Sequence, residues 1–490
     1  MEDPPVAEVA DAQEDLVNTL VDEGIWEKAD LFYVFEQQFN DNGEALINWV
    51  TPGNFDATEN NAPTWTSLLG YQGNGIDQSL STGYTPSIHA DNYAQDSAAF
   101  GVVSRTEAIE ARNDIGAQDA PGALLFTRQT ATQAGLRLNN NNTYGFSGGG
   151  TAIGLLAGNR ILSTHMEYWA NGVRRANLAA TSTGVPTNEF GVLWNGGNNW
   201  STHQISMAFV GGGLTSDQMI ALNTAWTTYD TIIVNRLNRS DEYNTVYDAM
   251  TNKPSEAVAA AQDAMVVSLV ADGVWAKLDF LYILANETNA DSEALINWIN
   301  PGTYDGVAYN SPTFTSLEGF TGNGSNAYIS TGYIPSVHAD NYNLASASFG
   351  VYSRTNKSEA TYDMSAASGT AGDASLYLRA SGDVAGFRVN NDTTSSCAST
   401  NSSGFFIADR YSYNAMQLWR NGATLAAPTG ISATDLPDVE FKLFTTQYGN
   451  YSTRQLSVAF AGQYLNSIDV GNFTDAIETY MDSNSKGVIS

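Results

Sequence analysis

Cysteine is nearly absent from this 490-residue chain, Cys397 being the single example. One thiol builds neither a disulfide framework nor a thiolate metal site. Lysine and arginine are scarce as well: 21 of them face 52 aspartates and glutamates, giving a formal net charge of −31 although charged residues make up only 15% of the chain. The imbalance therefore comes from missing cations and not from acidic runs. A field of that sign repels phosphate backbones and anionic lipid heads, and no basic stripe offsets it, so neither nucleic acid nor a membrane is expected as a partner. Histidine occurs four times, at positions 89, 165, 203 and 338. No apolar run approaches the ~20 residues that span a bilayer. The start, Met1-Glu2-Asp3-Pro4-Pro5, lacks the basic and apolar stretches of a signal peptide, so the expectation is a protein made in the cytoplasm and released by something else.

What is present is a folding chain that repeats itself. Hydrophobic residues reach 42% and aromatics 11%, enough for packed interiors and unlike a disordered composition. Residues 3–106 align without a gap on 252–355, with about half the positions identical from Leu20 onward. Ala45-Leu46-Ile47-Asn48-Trp49 returns as Ala294-Leu295-Ile296-Asn297-Trp298, and His89-Ala90-Asp91-Asn92-Tyr93 as His338-Ala339-Asp340-Asn341-Tyr342. After slips of one or two residues Gly135-Leu136-Arg137 meets Gly386-Phe387-Arg388, and Gln204-Ile205-Ser206 meets Gln455-Leu456-Ser457. A tandem duplication explains this pattern.

Each copy opens on a helical spacing, Val9, Leu16 and Leu20 against Val258, Met265 and Leu269, and Gly24 or Gly273 ends it. Alternation with period two follows. Phe100 shares a face with Val102, Met166 with Tyr168, and Ile205 with Met207 and Phe209; copy two repeats this at Phe349 and Val351, Met416 and Leu418, and Leu456, Val458 and Phe460. Asn-Gly pairs at 74–75, 171–172, 323–324 and 421–422 suit tight turns. Each copy closes on a second helix, with Met219, Leu222, Trp226 and Tyr229 matching Val470, Phe473, Ile477 and Tyr480. Residues 231–251 have no counterpart. The expected domains are 1–230 and 252–490, joined by a linker over 231–251 that can also extend the closing helix.

In order and in local sequence these pieces resemble concanavalin-like lectin/glucanase jelly rolls of the kind found in tailed-phage structural proteins. The resembling residues are Gly273-Val274-Trp275, Leu278-Asp279, Leu281-Tyr282, the Asn300-Pro301-Gly302 turn, Gly322-Asn323-Gly324, Leu418-Trp419-Arg420-Asn421-Gly422 and Val458-Ala459-Phe460. Copy one has the same order through Gly24-Ile25-Trp26, Pro52-Gly53, Tyr168-Trp169-Ala170-Asn171-Gly172 and Met207-Ala208-Phe209-Val210-Gly211. The resemblance implies a β-dominated chain of two tandem jelly-roll sandwiches, each with an N-terminal and a C-terminal helix. Such sandwiches serve as lectins, hydrolases or mute packing modules, so function has to come from the site.

Glucanases of this kind place paired carboxylates in a Glu-x-Asp-x-Glu strand, and neither copy contains one. The nearest acidic cluster is Asp41 and Glu44, opposite Asp291 and Glu293, so no catalytic residues are assigned. His165 and His203 align with Ala415 and Arg454, which leaves His89 and His338 as the shared histidines. Within His-Ala-Asp-Asn-Tyr, Asp91 and Asn92, with Asp340 and Asn341, suit either a turn bonding its own backbone or an oxygen-lined calcium site of the sort lectins of this fold hold. Gly148-Gly149-Gly150 lacks the Lys-Ser/Thr of a phosphate cradle. Basic residues shared by the copies are Lys28 and Lys277, Arg105 and Arg354, Arg137 and Arg388, and Arg160 and Arg410. The arginines read as anchors for carboxylates within their own domain, ahead of ligand contacts. For sugar recognition one loop fits, in which Asn199 and Trp200 align with Asn450 and Tyr451, near Tyr448; the alternative is that the aromatics plug the sandwich edge.

The sequence thus points to a non-enzymatic virion surface protein of a phage, as fibre, tail or capsid decoration, assembled in the host cytoplasm with other virion proteins into an oligomer and binding a host surface glycan. A purely architectural virion protein is the alternative, and a polysaccharide-degrading enzyme ranks last.

Overall fold

The computed structural model describes residues 4–148, 151–194, 196–197, 199–369 and 372–489. Gly149 and Gly150 of the glycine triplet, and Asn195 and Asn198 of the loop before Trp200, lie outside these. The chain forms two compact units that divide between Asn238 and Arg239. Its helices are α1 (Ala7–Asp22), α2 (Pro86–His89), α3 (Ser216–Asn238), α4 (Asp241–Ala249), α5 (Glu256–Ala271), α6 (Pro335–His338) and α7 (Ser467–Ser483). Among the described residues the other regular structure, short 3₁₀ turns and isolated bridges aside, is antiparallel sheet, one eight-stranded and one seven-stranded in each unit.

In copy one the eight-stranded sheet runs in the order Val173–Ala179, His165–Ala170, Gly154–Leu162, Ala98–Ser104, Gln204–Gly211, Gly70–Gln72, Thr64–Thr66, and Ala29–Val34 also pairs with Gln204–Gly211. The seven-stranded sheet runs Tyr144–Ser147, Gln133–Asn140, Gly122–Phe126, Ile115–Ala117, Gly191–Val192, Ser79–Ser81, Thr58–Asn60. Copy two repeats both orders strand for strand. Between the sheets lies one apolar layer, in copy one Leu31, Tyr33, Phe100, Val102, Leu125, Leu136, Tyr168 and Val192 among others. The far face of the eight-stranded sheet carries a second layer, in which Val9, Leu16 and Leu20 of α1 and Met219, Leu222 and Trp226 of α3 pack on Phe32, Val34, Leu155, Trp169 and Phe209. This is the expected architecture of two tandem β-sandwiches, each with an opening and a closing helix.

The local signals explain most element ends. Gly24 adopts φ +61, and Ile25 donates its N–H to the Leu20 carbonyl at 2.9 Å, a left-handed stop that a side chain would strain. Two Asn-Gly pairs behave as hairpin turns: Asn171 with Gly172 and Asn421 with Gly422 all have positive φ. The other two do not. Asn74 Oδ1 instead accepts the N–H groups of Ile76, Asp77 and Gln78, and Asn323 Oδ1 those of Ser325, Asn326 and Ala327. Lys28 and Lys277 recur because each ties the strand start to the closing helix, Lys28 Nζ donating to Gln218 Oε1 at 2.7 Å and Lys277 Nζ lying 2.6 Å from Asp469 Oδ2.

One expectation from the alternation is corrected. Ile205 does not share a face with Met207 and Phe209: Ile205 lies between the sheets, whereas the other two lie under the helices. A β-bulge between Ile205 and Met207 shifts the register by one residue and reverses the phase. Leu456 is separated from Val458 and Phe460 in the same way.

The segment 231–251 is largely helical. Residues 231–238 continue α3, whereas α4 packs Tyr243, Val246 and Tyr247 into the helix layer of the second unit, against Trp298 and α5. Ser240 Oγ and N–H both bond Asp263 Oδ1, at 2.6 and 2.9 Å. A fragment spanning 239–490 is therefore expected to unfold in one cooperative thermal transition. A fragment starting at 250 should melt roughly 5–10 °C lower, because it exposes the apolar surface that α4 covers. Equal melting temperatures would place α4 outside the folded unit.

Candidate functional site

The long helices cover one face of each eight-stranded sheet and the other face is core, so the outer face of each seven-stranded sheet is the one that no long helix of its own unit covers among the described residues. In copy two that face is rich in rings. The register pairs Tyr309 on the edge strand Val307–Tyr309 with Tyr328 on Tyr328–Ser330, and Ser330 in turn with Lys442. Ile329, between them, points into the core, so Tyr309, Tyr328 and Lys442 share the outer side. The two rings stack with centroids 4.8 Å apart and planes 8° from parallel. Lys442 Nζ sits 5.2 Å from the Tyr328 centroid, donates to Gln447 Oε1 at 2.9 Å and lies 3.6 Å from Glu440 Oε1. Burial, and after it Tyr309, Glu440 and Tyr451, push the Tyr328 hydroxyl above its ordinary range. Copy one has Asn60 and Ser79 at the paired positions, joined by an amide-to-hydroxyl bond of 3.4 Å.

The loop singled out for sugar contact lies over the same sheet. Ser365 on the central strand Met364–Ala366 donates its hydroxyl to the Thr445 carbonyl at 2.8 Å, and Tyr451 bridges to Tyr362. Tyr451 is half-buried, Asn450 is exposed with φ +71, and Tyr448 is 72% exposed with its hydroxyl donating to the Ser368 carbonyl. In copy one Trp200 and Asn199 are half-buried, and Asn199 Oδ1 accepts the Asn113 N–H at 3.3 Å. Tyr309 and Tyr328 escaped sequence reasoning because that reasoning looked for residues common to both copies. The signal was in the differences.

The His-Ala-Asp-Asn-Tyr turns are gathered by a carboxylate from elsewhere. Asp30 Oδ1 accepts the Asn92 N–H at 2.9 Å, and its Oδ2 accepts the Tyr93 N–H at 2.9 Å and the Tyr84 hydroxyl at 2.5 Å. Asp279 does the same for Asn341, Tyr342 and Tyr333. His89 and His338 accept backbone N–H groups through Nδ1 at 2.9 and 3.0 Å. Asp91 and Asp340 are exposed, while the amides of Asn92 and Asn341 bond the carbonyls of Ala29 and Leu278.

The shared arginines divide by partner. Arg105 joins the fully buried Glu36 at 2.5 Å and also Asp230; burial pushes the Glu36 carboxyl up to about 8 even against the pull of Arg105. Its counterpart Arg354 donates to the Lys486 carbonyl, since copy two has Ala285 in place of Glu36. Arg388 pairs with Asp373 at 2.7 Å, whereas Arg137 donates to the Asp119 carbonyl at 2.9 Å. Arg160 and Arg410, both fully buried, are held by backbone carbonyls alone or with one sulfur: Leu138, Leu162, Ser163 and Ala180 around the first, and Val389, Ser412, Tyr413 and Ile431, with Met416 Sδ, around the second.

Among the described residues, three ligand-type side chains that could hold a metal ion meet at Glu110, Asp114 and His203. Copy two explains what they hold. His203 Nδ1 lies 2.9 Å from Asp114 Oδ1 and Nε2 3.6 Å from Glu110 Oε1. At the aligned position Arg454, fully buried, donates to both oxygens of Asp363 at 3.0 and 2.8 Å and to the Lys357 and Arg379 carbonyls. Ser201 or Ser452 bridges the two carboxylates in each copy. The slot is built for a monovalent side-chain cation, imidazolium in one copy and guanidinium in the other. Burial pushes the His203 pKa down, but Asp114 and Glu110 outweigh it and hold it at about 9.

No protein-family model matches the chain, and no curated protein matches it. Solved structures similar to it include domain 4 of AbnA, a GH43 extracellular arabinanase from Geobacillus stearothermophilus, in complex with arabinotriose, at 15% identity over 40% of this chain and 98% of that one, TM-score 0.29. The ligand-binding domain of botulinum neurotoxin serotype D with N-acetylneuraminic acid is similar at 10% identity over 43% of this chain and 52% of that one, TM-score 0.31. Trypanosoma rangeli sialidase is similar at 11% identity over 68% and 52%, TM-score 0.32. The match thus spans about half the length of the toxin and sialidase chains, and at these scores none carries a functional argument.

The cation slot gives a pH dependence of definite sign. A histidine whose folded pKa stands above its unfolded value of ~6.5 contributes stability that is complete below that value and lost as pH rises through the folded one. The first unit should therefore lose stability as pH rises from about 7 through 9. His203→Arg should remove that dependence while keeping the fold, and His203→Ala should cost about 3 kcal/mol by leaving the buried Asp114 carboxylate without its cation. Thermal melts at pH 6 and pH 9.5 check all three, and an unchanged pH profile for His203→Arg would contradict the assignment.

Proposed function

We propose that the chain is a non-catalytic glycan-binding protein displayed on the surface of a phage particle, as fibre, tail or capsid decoration, and assembled there with other virion proteins. The observation that carries the binding part is the edge of the outer face of the seven-stranded sheet, where copy two sets stacked, partly exposed tyrosines beside an amide and a lysine. Flat rings next to hydrogen-bonding groups on an open sheet are what a sugar needs for stacking and for its hydroxyls. The virion setting is carried by the sequence resemblance to phage jelly rolls.

Hydrolysis forms no part of this reading. Glu44 accepts the Asn42 N–H at 3.0 Å, and Glu293 the N–H groups of Asn252 at 2.9 Å and Asp291 at 3.0 Å. Burial alone would raise both carboxyls, but these hydrogen bonds prevail and hold them below the ordinary range. Carboxylates kept ionised by hydrogen bonds from neighbouring amides are poor proton donors. The architectural alternative is favoured by a different observation: Ile88 and Val337, 74% and 69% exposed, occupy equivalent positions on α2 and α6, where a virion neighbour could cover them.

Trp200→Ala combined with Tyr451→Ala is expected to weaken attachment to host cells or their purified surface polysaccharide several-fold, with the melting temperature kept within a few degrees. Unchanged attachment together with a collapse in stability would make both rings sandwich plugs and favour the architectural alternative. Incubation with a broad polysaccharide panel should release no reducing ends, and turnover that survives repurification would restore the hydrolase reading.

A further inference from the structure

We infer that copy two carries a subsite for a neutral saccharide on the open ring face of Tyr309, an inference that rests on the glycan-binding reading and narrows it to one copy, one sheet edge and one charge class. Tyr309 belongs to the edge strand of its sheet, so one face of its ring meets Tyr328 and the other lies beyond the sheet edge. Tyr309 is 44% exposed, and Val307 on the same side of the strand is 52% exposed. Large apolar groups on an exposed edge invite unwanted strand pairing, and folds that do not use such an edge blunt it.

The fold does not require these rings. Copy one builds the same edge, in the same register, with Asn60 and Ser79 in place of the two tyrosines. What the tyrosines add is a flat surface, two hydroxyls and the nearby Gln447 amide. That mixture suits a ring with hydroxyls at its rim better than the continuous apolar patch of a protein contact.

The charge class follows from Lys442. It is the cation beside the stack, yet its ammonium already lies over the Tyr328 ring, donates to Gln447 and is balanced by Glu440 at 3.6 Å. Among the described residues an acidic sugar would find no uncommitted cation beside the stack, and it would enter the field of a chain with net charge −31. A neutral sugar pays neither penalty.

The test presents the full chain to immobilised cellohexaose, maltohexaose, xylohexaose and mannohexaose, with hexagalacturonate as the acidic member. Binding to at least one neutral oligosaccharide is expected, and Tyr309→Ala should weaken it about tenfold. Tyr309→Asn, which installs the residue that the same edge already tolerates in copy one, should lose binding equally while melting like the wild type. Asn60→Ala should change nothing. If both Tyr309 variants bind as the wild type does, the subsite is elsewhere and only the general glycan reading survives. Preference for hexagalacturonate would overturn the charge class. Absence of binding to every member would overturn this inference and the glycan reading together.

Discussion

The strand Gln204–Gly211, with its repeat Gln455–Gly462, is the piece on which the rest of each sandwich depends. It pairs with Ala98–Ser104 along one edge, and with both Ala29–Val34 and Gly70–Gln72 along the other, so that the eight-stranded sheet is assembled around it. Its side chains feed two apolar layers at once. The bulge after Ile205 turns that residue toward the other sheet while Met207 and Phe209 face the helices. Without the bulge the strand would present one phase throughout, and either the inter-sheet core or the helix layer would lose its central residues.

From that arrangement the functional asymmetry follows. Two long helices in copy one and three in copy two pack on one face of one sheet, and among the described residues no long helix covers the outer side of the opposite sheet, which a loop covers in part. Duplication then allowed the two open faces to differ while the packing stayed the same. The carboxylate clamp of Asp30 and Asp279 and the carbonyl cages around Arg160 and Arg410 are repeated almost atom for atom. The Tyr309–Tyr328 stack belongs to copy two alone, and the Glu36–Arg105–Asp230 cluster to copy one alone. On the proposed reading each chain carries one such subsite, so multivalent binding would have to come from the number of chains brought together.

Much of the fold was legible in the residues. The opening and closing helices follow from Val9, Leu16, Leu20 and from Met219, Leu222, Trp226, all buried where their spacing places them. The bulge was not legible, because Ile205-Ser206-Met207 reads as plain alternation and only the partner strand reveals the extra residue. Half of the Asn-Gly pairs form hairpin turns and half do not, since a side-chain oxygen that collects three N–H groups competes with the hairpin geometry. The candidate site was legible only in part. The loop with Tyr448, Asn450 and Tyr451 could be found because it aligns with Asn199 and Trp200, whereas Tyr309 and Tyr328 lie 19 positions apart and meet only through antiparallel register. Likewise His203 and Arg454 looked like a mismatch until their shared carboxylates made them two forms of one cation.

The central claim is that ligand meets the open face of the seven-stranded sheet and not the helix-covered side. Hydrogen–deuterium exchange of the full chain, with and without purified host surface polysaccharide, tests it most directly. New protection is expected on strands 307–309 and 328–330 and on the 442–451 loop, with exchange in α5 and α7 unchanged. Protection appearing on α5 and α7 or around Val337, with none on that face, would contradict it.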